Sequence, residues 1–556
     1  MIKRQQRAFS LWLLFTIILL MFAGRLAFVQ LVQGKQLARD AVKQRAQTVV
    51  LNYNRGNILD RHGDSLLGGG ADKVLAVFPS LLARSDAGIR DEVIAVFPRA
   101  GAAKGPFIAL DSLSPAEAEH FRDYRENGLV VTTAYRRYGE GALATHLIGH
   151  VGPDDGEGKA GLEKYYNSEL QGYPHTLAAV VDGKHRLVEG LGFRLWQDEQ
   201  QTAPANLLLT IDSRIQQQVE TVMDGQIMQG AVVVMDPQNG EILAMASRPN
   251  YYQVNLPEIL NNRDAYTSYL HAQPFINRAV LSYPPASIFK IVTAAAAFEV
   301  GGYTLFDRFN CPGYIRVVDR IYHCSLHKAH GELDLSDAFA HSCNTAFIQL
   351  ALELEKETLY EYAYKMGLGQ KTGLPLGSED GDGESEGRLP LPAELPFAGD
   401  LAMMALGQGL LEATPLQVAR LTAVVANSGY LVEPRLVLGL QDKRGKLSPS
   451  TLFTPSPKQV ISSLTASRLR YLMMNVVDQG TGQKAQSDQI ILGGKTGTAE
   501  TGKEDPQGNP QLYSWFSGLL PLEDTRAVIT VFIEEPQGSS ASAVFKDIAE
   551  AIQPFL

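Results

Sequence analysis

Cysteine is scarce, with three residues in 556. That excludes a disulfide framework and leaves one bridge, a metal site or plain core thiols. A cation surplus is also missing: fifty Lys+Arg against sixty Asp+Glu give a formal charge of -10. A general nucleic-acid binder needs the opposite balance to neutralise phosphates. No internal repeat with a period of about 20 to 50 residues is evident. After the N-terminal region no second long apolar run occurs, which excludes a polytopic membrane protein. What is present is a globular mixture, 45% hydrophobic and 20% charged, in a chain long enough for two to four folding units.

Residues 8–24 (AFSLWLLFTIILLMFAG) carry no charge, and apolar character resumes after Arg25 as far as Val32. A hydrocarbon core needs about 20 apolar residues, and Arg25 can snorkel from one end. Lys3, Arg4 and Arg7 precede the run, so the positive-inside bias predicts residues 1–7 in the cytoplasm, a single-pass anchor over 8–32 and the remainder outside. A cleaved signal peptide is the rival, but no small-x-small cleavage site follows the run.

From residue 33 to about 205 short strand-like runs alternate with helical ones, as in VVLNYNRGNILDRHGDSLL, where Asp60, His62, Gly63 and Asp64 supply turn chemistry. No catalytic cluster stands out there, so a structural or interaction domain is expected. QDEQQTAPAN marks a compositional join. Asp212 is then placed to cap a helix, and Pro237, Gln238, Asn239 and Gly240 turn a hairpin between two β-rich runs. Residues 377–388 (GSEDGDGESEGR) read as a mobile surface loop. Strands are expected at SWFSGLL and AVITVFIEE, and a last helix near 541–552.

Three short patterns carry chemistry. In SYPPASIFK, Ser287 begins an Ala-rich helix and Lys290 follows one turn on, on the same face. A serine needs a base, and a buried lysine with a depressed pKa can be one. In HSCNTAF, Ser342 and Asn344 open another apolar helix, an arrangement that usually means a cap. In QIILGGKTGTAE an apolar strand ends in Lys495, Thr496, Gly497 and Thr498. Cation and hydroxyls suit an anionic group there, and glycine lets a substrate backbone approach. Two decoys lack that context: Ser325 to Lys328 has no apolar helix behind it, and Lys371-Thr372-Gly373 has no apolar strand before it.

Each pattern is weak alone. Ser-x-x-Lys, Ser-x-Asn and Lys-Thr-Gly in this order form the set used by penicillin-binding proteins and serine β-lactamases. RGNILDRHGDSLL, GLEKYYNSELQG, LTIDSRIQ, DPQNGEILAMASRPNY, ALGQGLLEATPLQVA and KTGTAE further resemble segments of class B penicillin-binding proteins, the monofunctional peptidoglycan transpeptidases. The resemblance runs from the apolar helix almost to the C-terminus. One departure is glycine at 139, where the family often has proline after the tyrosine.

The resemblance implies a multidomain α+β protein with a pedestal or dimerisation-like domain over 33–205. A transpeptidase domain over 206–556 would follow, with a central antiparallel sheet flanked by helices, as in serine β-lactamases. It implies that Ser287 attacks a D-Ala-D-Ala stem peptide, with Lys290 as base and Ser342 and Lys495 relaying the proton. Asn344 would bind the substrate amide, and Thr496 and Thr498 the terminal carboxylate beside Gly497. The N–H groups of Ser287 and Thr498 would form the oxyanion hole. β-Lactams should block the site, no cofactor is needed for chemistry, and a polytopic membrane glycan polymerase is the implied partner.

Cys311, Cys324, His330 and Cys343 form Cys-x12-Cys-x5-His-x12-Cys between the first and second motifs. Three thiolates and an imidazole make a tetrahedral zinc set, for which His323, His327 or His341 could substitute. A Cys311–Cys324 disulfide and free thiols stay open beside it. The loop points toward the elongation (penicillin-binding protein 2) type over division or sporulation. Alternative activities are a β-lactamase, for which no water-activating acid can be named, and a D,D-carboxypeptidase. A non-enzymatic β-lactam sensor or an acylation-dead scaffold completes the set.

Overall fold

The apolar run beginning at Ala8 lies within one helix, Ile2–Phe28, which continues through a π-helical turn, Val29–Gln33, into Gly34–Arg45. The computed structural model describes residues 2–556 apart from 111, 153–154, 189, 197–202, 257–258, 260–272, 377–382, 451–455, 505–507, 509 and 535–538. Part of the join at 197–206 and half of the acidic loop therefore lie outside the described residues. Among those described, the N-terminal helix is the one long and apolar enough to cross a membrane.

Two compact units divide the chain, one made of residues 1–54, 70–136 and 173–201, the other of 55–69, 137–172 and 202–556. The boundary expected at 205 is thus interleaved in space. Hydrogen bonding gives the reason: Ile58–Leu59 pairs in parallel with the strand Asn206–Leu209, so a segment from the early chain completes a sheet of the second unit.

The first unit is mixed α/β. Its sheets are Ala46–Tyr53, Pro174–Val180, Phe193–Trp196 and, separately, Phe107–Leu110, Gly68–Val77, Leu129–Tyr138, the last two strands each having two end residues, 68–69 and 137–138, in the second unit. Among its short helices is Pro115–Arg122, opened by a Ser114/Glu117 capping box. Two small apolar cores, around Phe78 and around Phe107, hold it together.

The second unit is built on a five-stranded antiparallel sheet of β1 (Gly230–Met235), β2 (Ile242–Arg248), β3 (Gly493–Glu504), β4 (Pro510–Leu520) and β5 (Ala527–Ile533), in the order β2-β1-β5-β4-β3. The hairpin expected at 237–240 joins β1 to β2, and β1 and β5 are buried along their whole length. Helices cover both faces: α1 (Ser213–Gln226) and α6 (Ala541–Ile552) pack on one, α2 (Lys290–Glu299), α3 (Asn344–Lys365) and α4 (Pro415–Ala426) share the core on the other, and α5 (Ser463–Asp478) lies against β3. Asp212 caps α1 as its position predicts, accepting from the Arg214 N–H at 3.0 Å. Four consecutive alanines of α2, Ala294–Ala297, are fully buried, and their small size lets α3 pack closely.

Two expectations shift. The strand at Lys495 starts at Gly493 rather than ending there, because Ile490 and Leu492 are buried in the apolar core while the ladder to β4 begins at Gly493. Within the acidic stretch Glu384 is buried, where its carboxylate accepts from the N–H groups of Thr372 (2.6 Å) and Gly373 (3.1 Å).

Candidate active site

Pro284 and Pro285 lead into a tight 3-10 turn, Ala286–Phe289, which carries Ser287 and passes directly into α2 at Lys290. Ala286 sits at φ 51°, a conformation costly for a residue with a side chain. It is held by its N–H to the Gly407 carbonyl at 2.9 Å. Gly407 is obligatory at that contact, since a Cβ there would lie 1.9 Å from the Ala286 oxygen.

Ser342 and Asn344 stand where α3 begins, and neither caps it: Cys343 is the cap position, with no side-chain bond to the helix. Asn344 Oδ1 instead accepts from Lys290 Nζ at 2.8 Å, and its Nδ2 donates to the His323 carbonyl at 2.9 Å. Lys290 Nζ also reaches the Ser342 carbonyl (2.8 Å) and Ser342 Oγ (3.1 Å). Lys495 Nζ, arriving from β3, lies 3.1 Å from the same Oγ and 3.2 Å from the Thr496 carbonyl. One hydroxyl therefore stands between two fully buried ammonium groups. Burial pushes the Lys290 pKa down to about 8, against smaller opposing effects of the Cys343 and Cys324 thiols. Burial first, and then the charge on Lys290, hold Lys495 well below the ordinary lysine range.

Ser287, Ser342, Asn344, Thr496, Gly497 and Thr498 line one cavity of about 630 Å³. Gly497 makes the closeness of β3 to the serine turn possible: a Cβ there would meet the Pro285 carbonyl at 3.0 Å and Ile288 Cγ1 at 3.2 Å. Thr496 Oγ1 is 2.6 Å from Thr481 Oγ1, a cleft hydroxyl that no short motif marks. The structure thus brings all three patterns into one cleft. The second Lys-Thr-Gly, at 371–373, stays out of it.

Behind the Ser342 turn the three cysteines converge. A short antiparallel pair, Arg308–Cys311 with Gly331–Asp334, sets Cys311 beside His330, and Cys324 follows the hairpin Tyr314–Val317/Arg320–His323. Cys311 Sγ is 3.5 Å from Cys324 Sγ and 3.3 Å from His330 Nδ1, and Cys324 Sγ is 3.8 Å from Cys343 Sγ. The four ligand atoms lie within 4.8 Å of one another, and the cysteines are unbridged. Hydrogen bonding from Cys343 stabilises the Cys324 thiolate and pushes the Cys343 thiol up in turn.

Residues 230–550 match the penicillin binding protein transpeptidase domain and 51–192 the penicillin-binding protein dimerisation domain. Fold, cleft and matches together define a penicillin-recognising serine transpeptidase. The chain is 29% identical over 94% of its length to the stage V sporulation protein D of Bacillus subtilis, covering 80% of that protein. It is 28% identical over 96% of its length to the peptidoglycan D,D-transpeptidase MrdA of Acinetobacter baumannii, covering 85% of it. A solved D,D-transpeptidase domain of a peptidoglycan glycosyltransferase from Eggerthella lenta superposes with a TM-score of 0.64 at 27% identity, over 90% of this chain and 99% of that one. The chain belongs to the class B penicillin-binding proteins.

Proposed function

We propose that this protein cross-links peptidoglycan through a serine acyl-enzyme. Ser287 attacks the penultimate D-alanine carbonyl of a donor stem peptide. Its proton goes to neutral Lys290, and the Ser287 ester forms as the peptide bond to the terminal D-alanine breaks. That leaving amine collects a proton through Ser342, which Lys495 flanks. An acceptor amine then attacks the ester, giving its proton back along the same path and restoring Ser287. Asn344 holds the donor amide, Thr496 and Thr498 the terminal carboxylate, and the N–H groups of Ser287 and Thr498 the developing oxyanion.

One observation carries the reading: Ser342 Oγ is shared by two buried lysines that have no carboxylate partner among the described residues. With Lys290 neutral, Lys495 donates to that oxygen and the hydroxyl proton points to Lys290, a path that needs no rearrangement. At a pKa of about 8, roughly a tenth of Lys290 is neutral at pH 7, enough for a general base. Labelling with a fluorescent penicillin, followed over hours beside Ser287→Ala, tests this. Stable label lost in the variant is expected. Rapid loss of label would favour a β-lactamase, and no label on folded protein a scaffold. Product analysis with a stem peptide and an amine acceptor separates cross-linking from carboxypeptidase hydrolysis.

The Cys311, Cys324, His330 and Cys343 set fits zinc. A tetrahedral site with Zn–S bonds of about 2.3 Å has ligand atoms about 3.8 Å apart, and the sulfur separations are 3.5 and 3.8 Å. Bound there, zinc would brace the turn carrying Ser342 and supply no chemistry. One equivalent of metal in purified protein and a lower Tm on chelation are expected; metal-free protein of unchanged Tm rejects it. The same loop is what favours an elongation role.

The N-terminal helix would anchor the chain with its first residues in the cytoplasm and the chain from residue 33 onward outside, and would meet a polytopic glycan polymerase. Replacing residues 1–45, which precede the first strand, by an unrelated anchor should abolish that complex, and intact co-purification after the swap would count against it.

A further inference from the structure

Strand β3 is the edge of its sheet, and its side chains alternate between two sides. Lys495 turns inward to Ser342, while Thr496, Thr498 and Glu500 share the other side and all three line the cleft. Exposure along the strand is graded: Gly493 to Lys495 are buried, Thr498 and Glu500 are exposed. A peptide that adds to this edge with its terminal carboxylate at Thr496 and Thr498 is blocked at the Gly493 end and leaves only toward Glu500. At about 3.4 Å per residue Glu500 lies about 7 Å beyond Thr498. That is where the residue preceding the two D-alanines must pass.

Glu500 is the one carboxylate among the described residues lining the cavity, and it makes no ion pair among them. We propose that Glu500 is a specificity-determining residue that binds the side-chain ammonium of the residue preceding D-Ala-D-Ala, so that the donor is selected for a diamino acid at that position. The inference rests on the transpeptidase reading above.

Acylation of the full-length protein by the thioester acetyl-L-Lys-D-Ala-thioglycolate, with the ε-amine free or acetylated, tests it through the rate of thiol release. Ser287 displaces the thiolate in both, so only the remote amine differs. In the unmodified protein kcat/KM is expected to favour the free amine about threefold to fivefold at low salt. That ratio should fall to about one in Glu500→Gln and invert in Glu500→Lys. It should also shrink at about 0.5 M salt, as a solvent-screened pair requires. An unmodified protein that does not discriminate, or a ratio that survives both substitutions, overturns the proposal while penicillin labelling stands. An effect confined to the aminolysis step would move Glu500 to the acceptor side and overturn it equally. Failure of the unmodified protein to label with penicillin would overturn the transpeptidase reading as well.

Discussion

Glu163 is fully buried and meets two guanidinium groups, Arg55 at 2.6 Å and Arg137 at 2.5 Å, with the Tyr138 hydroxyl at 2.9 Å. Lys290 and Lys495 are buried as deeply, yet they meet a hydroxyl, an amide oxygen and backbone carbonyls. Both groups are in the second unit. In the Glu163 group both cations face a carboxylate, one for the two of them, and Arg55 adds bonds to the Glu163 carbonyl and Asn167 Oδ1, so the cluster ties residues 55, 137 and 163 together. In the lysine pair no carboxylate faces the charge, and the protein tolerates it where a proton has to leave. Matched burial fixes the chain, and unmatched burial poises a base.

The contrast would break most visibly at Lys290. Replacing it with methionine should lower the acylation rate by about two to four orders of magnitude, read by penicillin labelling, with far-UV circular dichroism unchanged. Labelling at the original rate would mean that the unmatched charge is not the base. At the other cluster Glu163→Gln should cost about 3 to 5 kcal/mol in urea unfolding, because two buried guanidinium groups lose their counter-charge. The molecules still folded should acylate normally; a stable variant would show that the cluster does not hold the chain.

The titration sharpens the comparison. Acylation should rise about tenfold per pH unit below 8 and level off above it, since Lys290 acts in its neutral form. Its pKa is depressed on folding, so the unfolded chain binds the proton more tightly. Stability should therefore rise with pH from about 8 toward the ordinary lysine value of about 10.4, and be lost as pH falls through 8. Lys290→Met should flatten part of that slope. The smallest effect is expected at Lys371→Ala: this exposed lysine of the second Lys-Thr-Gly should change neither labelling nor stability beyond about 0.5 kcal/mol.

That second tripeptide shows how the cleft was legible. The same three residues occur twice, and the apolar run before Lys495 distinguished the copy that reaches the cleft. The Asp212 cap, the 237–240 hairpin and the last helix were readable for a similar reason, being set by neighbours in sequence. Other features were not. Arg55 finds Glu163 across 108 residues, and no local pattern announces a contact of that span. Asn344 has the residue type of a cap, and only the arrival of Lys290 turns it to another use. Glu384 sits in a stretch whose composition suggests solvent, yet two backbone N–H groups draw it inward. Nothing within KTGTAE sets Glu500 apart, and only the exposure along the strand gives its side chain a direction.

The parallel pairing of Ile58–Leu59 with Asn206–Leu209 bears on how the molecule is made. The Asn57 N–H bonds to Asn206 Oδ1, a partner synthesised 149 residues later. During synthesis the early segment must therefore wait, unpaired, while residues 70–136 and 173–201 of the first unit emerge between it and its partner. Such long-range closure makes folding slow and leaves an exposed strand edge in the interval. A truncation beginning at residue 206 would never be offered that strand. Its cleft residues would all be present, while the separate sheet built on Asn206–Leu209 would lack a strand.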